Sequence, residues 1–156
     1  MRKMLKMLLG SVLLTIIAAT GASIAAEGPV SYEKDVQNLI STFCQSCHGS
    51  DSPTLETFKK AEEEFRKKMK GPRINTYANL MILVNGSDTG ALMRRLDDGK
   101  SKQDGNPGNM YHHLGGTDEE RAANLGVLKS WIGGWTLKRK AEITAEELKA
   151  IKALEK

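Results

Sequence analysis

The stretch Phe43-Cys44-Gln45-Ser46-Cys47-His48-Gly49 decides how the rest of the chain is read. Cys44 and Cys47 are the two cysteines among 156 residues, three positions apart, with a histidine directly behind the second. On one helical turn residues three apart face the same side. Both thiols are therefore placed to add to the two vinyl groups of one porphyrin, and His48 follows with its imidazole aimed at the iron. Cys-x-x-Cys-His is the attachment pattern of a c-type haem; chance produces it here on the order of 2 times in 10,000. Three other uses of these residues fit less well. A thioredoxin-type redox pair needs a preceding strand and a βαβ context. A zinc site needs a fourth ligand and more separation than adjacent Cys47 and His48 give. A disulfide closing so short a loop constrains little of the unfolded chain. One covalent haem c, bound through Cys44, Cys47 and His48, uses all three side chains.

Upstream of this motif, Met1–Lys6 is basic, Met7–Ala19 apolar, and Ser23-Ile24-Ala25-Ala26 a run ending in small residues before the first acid, Glu27. This pattern predicts a secretory signal peptide over residues 1–26, cleaved after Ala25 or Ala26. An uncleaved anchor is the competing reading, but Thr15, Thr20, Gly21 and Ser23 dilute the apolar run. The net charge of +4 belongs mostly to the leader: without Arg2, Lys3 and Lys6, 20 basic residues face 19 acidic ones. So balanced a mature chain lacks the electrostatic footprint of a nucleic-acid binder. No Walker loop, GxSxG or HExxH is present, which removes the commonest hydrolase readings. The expected working protein is exported, periplasmic and without stable membrane insertion after cleavage.

The mature chain reads as helices separated by Gly, Pro and Asn turns, with no alternating β-branched run, so the fold class is all-α. Ser31 is placed to cap a helix over Tyr32–Phe43, with Val36, Leu39, Ile40 and Phe43 at helical spacing. Pro53-Thr54 opens a second helix to about Lys70, ended by Gly71-Pro72. Asn75–Val84 is a short apolar helix, and Ser87 or Thr89 starts another through Leu96. Asp97–Asn109 is a polar loop. Thr117 with Glu120 forms a capping box for a helix to about Gly133. Thr144 with Glu147 forms another, with Ile143 and Leu148 as a staple, for a final helix to Lys156. The expected organisation is a leader (1–26), a main domain (27–137) and a C-terminal helical extension (138–156). Aromatics make up only 5% of the chain. A small domain this poor in core material needs a staple or a prosthetic group.

The haem motif, an amphipathic helix before it, and a Met-bearing loop and a helix with Trp131-Ile132 after it together resemble class I cytochrome c. The resemblance covers Ser31 to Gly134, and within the class it is nearest to small periplasmic monohaem cytochromes of metal-reducing bacteria. It implies a helical fold wrapped around one covalent haem, here with an extra C-terminal helix, and a distal thioether ligand well downstream of His48. Of Met69, Met81, Met93 and Met110, the first three sit at apolar helical positions that suit core filling. Met110 lies in the turn-rich Gly105-Asn106-Pro107-Gly108-Asn109-Met110-Tyr111, 62 residues after His48. Met110 is the favoured ligand; His112 or His113, or an open sixth position, are the alternatives. Two features depart from the class: Tyr111 stands where proline often follows the ligand, and the N-terminal helix lacks a crossing glycine. Val36, Leu39, Ile40 and Phe43 against Leu128 and Trp131 could replace that crossing contact.

Lys59, Lys60, Arg66, Lys67 and Lys68 pair at i,i+4 with Glu62, Glu63 and Glu64, which reads as a self-neutralising solvated face. Arg73, Arg94 and Arg95 are candidate haem-propionate partners, and Trp131 is expected in the core beside the haem. The resemblance implies a one-electron carrier, not an enzyme. Its expected partners are a quinol-oxidising membrane complex and multihaem cytochromes, met in weak, transient encounters. A haem peroxidase or gas-binding sensor with a labile distal ligand is the second reading.

Overall fold

The computed structural model describes residues 29–156, so the leader lies outside the described residues. A π-type turn, Tyr32–Val36, runs into α1 (Gln37–Phe43), and Cys44 links α1 to the single turn α2 (Gln45–His48). Then follow α3 (Leu55–Lys60), α4 (Glu62–Lys67), α5 (Tyr77–Val84), α6 (Ala91–Leu96), a 3₁₀ turn (Tyr111–Leu114), α7 (Asp118–Ile132), a second 3₁₀ turn (Lys140–Glu142) and α8 (Ala145–Ala150). The described residues contain no strand, only an isolated antiparallel bridge between Gly133 and Ile151. The all-α expectation holds.

The core forms where apolar faces at helical spacing meet. Val36, Leu80, Val84, Met93, Leu128 and Ile132 are fully buried. Trp131 joins them and packs with Tyr32 and Tyr77, ring centroids 6.2 and 6.5 Å away. Tyr32 and Tyr77 meet edge-on at 5.6 Å. α7 packs against the Tyr32–Val36 turn, so this aromatic triad occupies the crossing that lacks a glycine.

The C-terminal segment corrects two expectations. The last helix stops at Ala150, not Lys156. Residues 151–155 instead form a non-helical strap, turned at Ala153 (φ 40°), with Ile151 and Ala153 buried and Lys152 and Leu154 exposed. Lys152 and Ala153 donate their amides to the Ile132 and Trp131 carbonyls (2.8 and 3.0 Å), and Trp131 Nε1 donates to Leu154 O (2.8 Å). Tyr77 Oη donates to Ala153 O at 2.9 Å. The strap also explains why Ser31 occupies the N-cap position but makes no cap bond. The first helical amides need acceptors, and Tyr32 N and Glu33 N find them in the Leu154 and Glu155 carbonyls (2.8 and 3.0 Å). The Ser31 hydroxyl is left buried without a partner.

The single helix expected from Pro53 to Lys70 is two. Ala61 leaves helical geometry (φ −141°, ψ 43°), and Phe58 and Phe65 stack with centroids 6.2 Å apart. In an unbroken helix, seven residues rise about 10.5 Å, so the aromatic contact requires the break. The expected charge ladder loses its register in consequence. Arg66 still pairs with Glu62, but Lys60 turns back to Glu56 and Lys59 reaches Asp88. Met69 is not core: it is 75% exposed at φ 54°. α6 starts neither at Ser87 nor at Thr89; Gly90 holds its N-cap position at φ 78°, and the Thr89 hydroxyl donates to Gly86 O. Thr117 and Thr144 cap as expected, Thr144 in a full box with Glu147. The Thr117 box is shifted by one residue, because Glu120 accepts from Gly116 N instead.

If the strap holds the crossing together, Ile151→Ala lowers unfolding stability by about 2–4 kcal/mol in denaturant titration. Leu148→Ala, on the exposed side of α8, stays within about 0.5 kcal/mol. Equal losses at the two positions would contradict the division between strap and helix.

Candidate haem site

The Cys44–His48 turn is fixed by its own backbone and by a crossing segment. Cys47 N and His48 N both donate to Cys44 O (3.3 and 2.9 Å), which winds the three side chains onto one turn. Residues 71–74 run alongside: Gly71 N donates to Cys47 O at 2.8 Å and Ile74 N to His48 O at 3.0 Å. The Ser52 hydroxyl donates to Cys47 O at 3.0 Å, and Lys70 Nζ, paired with Asp51 at 2.7 Å, donates to Ser46 O at 3.0 Å. The carbonyls of Ser46, Cys47 and His48 are all occupied, so the turn has little freedom to rearrange.

His48 is oriented by the same segment. Its Nδ1 lies 2.7 Å from the Pro72 carbonyl, an acceptor only, so Nδ1 carries the proton and donates it. Nε2 is left with its lone pair, the form in which imidazole binds a metal. Burial pushes the His48 pKa below the ordinary histidine value; the Pro72 bond raises it and the nearby His113 lowers it further. The neutral ring is favoured. Gly71 is where the segment passes the imidazole, and a Cβ there would overlap the ring, 2.6 Å from Nδ1 and 2.8 Å from Nε2. Only glycine fits this passage.

Cys44 and Cys47 are half-buried free thiols. Burial first, then the charge of Cys47, pushes the Cys44 thiol up to about 11. Redox-exchange cysteines have lowered pKa values, so Cys44 is the opposite of a reactive thioredoxin-type thiolate. Among the described residues no three His, Cys, Asp or Glu side chains converge as a metal cluster. Two thiols on one turn beside an imidazole presenting a free Nε2 fit the covalent haem that the motif implies.

The four methionines separate clearly. Met93 is fully buried and its sulfur accepts from Thr136 N at 3.1 Å. Met69 points to solvent, and Met81 is half-buried on α5. Met110 is half-buried against the core at the mouth of the Tyr111–Leu114 turn. Its amide donates to Arg95 O at 2.9 Å, and the turn after it is held by Asn124 Nδ2 on Leu114 O (2.7 Å) and Arg121 Nη1 on Gly115 O (2.9 Å). His112 and His113 are exposed on that turn, with His113 in electrostatic reach of His48. Arg73, Arg94 and Arg95 already donate to Ser52 O, Lys138 O and Asn109 Oδ1. Sequence reasoning took Gly71-Pro72 only as a helix stop; nothing in a Gly-Pro pair announces which donor the carbonyl will meet.

A turn with two thiols and an oriented histidine, in an all-α chain with a thioether-bearing loop, defines a c-type cytochrome with a single haem. The comparisons agree and narrow the class. The family described as PccH Cytochrome c matches residues 31–154, and the chain belongs to it. Among solved structures, the monohaem cytochrome PccH from Geobacter sulfurreducens is 48% identical, with a TM-score of 0.77. That match covers 81% of this chain and 99% of the other. No curated protein matches. The protein carries one covalently bound c-type haem.

Gly71→Ala forces the new methyl into the His48 ring. The expected outcome is a sharp drop in holoprotein yield, or a haem spectrum that is no longer low-spin, read by absorption after expression with cytochrome maturation. A wild-type spectrum and yield would show that the 71–74 segment does not orient His48.

Proposed function

We propose that the protein is a periplasmic one-electron carrier in which His48 and Met110 ligate the iron and Cys44 and Cys47 carry the thioether links. Membership of a monohaem cytochrome c family supports the electron-carrier role. The observation that carries the ligand assignment is the His48 imidazole, locked as a neutral ring by Pro72 O with Nε2 free. Haem, when bound, supplies a one-electron iron couple that needs no substrate on the metal. The chain's contribution is to keep both ligand arms still. Gly71, Pro72 and Ile74 hold the proximal turn, while Arg95, Arg121 and Asn124 hold the segment around Met110. Ligands that do not move between oxidation states keep an electron-transfer site from opening to solvent molecules.

Export rests on the leader pattern of residues 1–26. No helix among the described residues is long and apolar enough to cross a membrane. The proposed partners are a quinol-oxidising membrane complex on one side and multihaem cytochromes on the other, docking weakly as small redox pairs do.

The ferric wild type is expected to show the weak far-red sulfur-to-iron band. Met110→Ala abolishes it, whereas Met81→Leu and Met93→Leu retain it. A band that survives Met110→Ala would move the ligand elsewhere. Ready binding of CO or cyanide by the wild type at neutral pH would favour a haem peroxidase or gas sensor.

A further inference from the structure

The loop between α6 and the Tyr111–Leu114 turn closes at a narrow neck. Residues 95–97 and 108–110 lie side by side there, with Gly108 N donating to Asp97 O at 2.7 Å and Met110 N to Arg95 O at 2.9 Å. The neck is tight: a Cβ on Gly108 would strike the carbonyl oxygens of Arg94 and Arg95. Further in, Gly99 (φ 82°) lies so close to the returning limb that a Cβ would strike Gly105 O.

Asp97 sits at this neck and is 1% exposed. Its Oδ1 accepts from Gly99 N at 2.8 Å, and its Oδ2 faces Trp135 Nε1 at 3.4 Å. Lys129 Nζ stands 5.5 Å from the Trp135 ring centroid and 3.7 Å from Asp98 Oδ2. A buried carboxylate is tolerated only where donors hold it. Here the donors come from two places, the loop's own backbone and the segment beyond α7.

We propose that Asp97 is a positioning residue: its buried carboxylate ties the neck of the 97–109 loop to Trp135 and so sets how firmly Met110 is held as distal ligand. The proposal rests on Met110 being that ligand. Asp97 and Arg95 supply the two carbonyls that anchor Gly108 and Met110, and Arg95 Nη1 also holds Asn109 Oδ1 at 3.0 Å. Losing the carboxylate frees Gly99 N and Trp135 together and loosens the limb from which both anchors hang.

The test uses the holoprotein and added imidazole, which competes for the distal position in proportion to the fraction of molecules with the loop open. Asp97→Ala is expected to raise apparent imidazole affinity at least about ten-fold, the equivalent of one hydrogen bond to a charged group. Amide exchange across residues 98–110 should rise with it. Asp97→Asn keeps an acceptor for Gly99 N. Its Nδ2 cannot accept from Trp135 Nε1, so its imidazole affinity should fall between those of the wild type and Asp97→Ala. Trp135→Phe removes only the far tie and should give a smaller gain in imidazole affinity. If Asp97→Ala yields no folded holoprotein, Trp135→Phe decides. Wild-type imidazole affinity and loop exchange in whichever of these two variants fold would overturn the proposal. A wild-type ferric spectrum without the sulfur–iron band would overturn the Met110 assignment and this role with it. A band present in wild type, together with wild-type imidazole affinity and loop exchange in these variants, would overturn this role alone.

Discussion

The 2.7 Å approach of the Pro72 carbonyl to His48 Nδ1 is the constraint on which the site depends. It requires residues 71–74 to lie against the Cys44–His48 turn, and that is feasible only because Gly71 has no side chain to meet the imidazole. The crossing segment occupies the carbonyls of Cys47 and His48, and Lys70 reaches the carbonyl of Ser46. It also fixes the ring's tautomer, leaving Nε2 for a metal. A histidine that hydrogen-bonds a backbone carbonyl through one nitrogen is both oriented and made a better ligand through the other.

A second set of constraints holds the segment that carries Met110. α5 and α6 bury Leu80, Val84, Leu92 and Met93. The end of α6 then holds Met110 through the Arg95 carbonyl, and α7 braces the turn behind it through Arg121 and Asn124. The strap of residues 151–155 locks α7 to the N-terminal turn by supplying carbonyls to Tyr32 N and Glu33 N. The two proposed ligand arms are thus attached to one continuous core, which suits a redox centre that must change charge without changing shape.

Much of this was legible in the sequence because it is local. The haem motif lies within five residues, the Thr117 and Thr144 caps within four, and the apolar faces of α5 and α7 repeat at helical spacing. Long-range contacts were not legible. The break at Ala61 lies among good helix formers and exists because Phe58 and Phe65 stack across it. Ser31 has the residue type of a cap, but the orphan amides beside it are satisfied by a segment more than 120 residues away. The end of the last helix at Ala150 accompanies the burial of Ile151 and Ala153, the latter at φ 40°, which the preceding helical pattern does not announce. The expected pairs 59–63 and 60–64 are lost because they span the break at Ala61, whereas Glu62–Arg66, inside α4, forms.

The covalent link is the claim from which the fold's purpose follows, and mass spectrometry of the protein under denaturing conditions tests it most directly. After expression in a host with working cytochrome maturation, the expected mass is that of the chain plus one haem, with neither Cys44 nor Cys47 available to an alkylating reagent. A chain mass without haem, with both thiols alkylated, would contradict it.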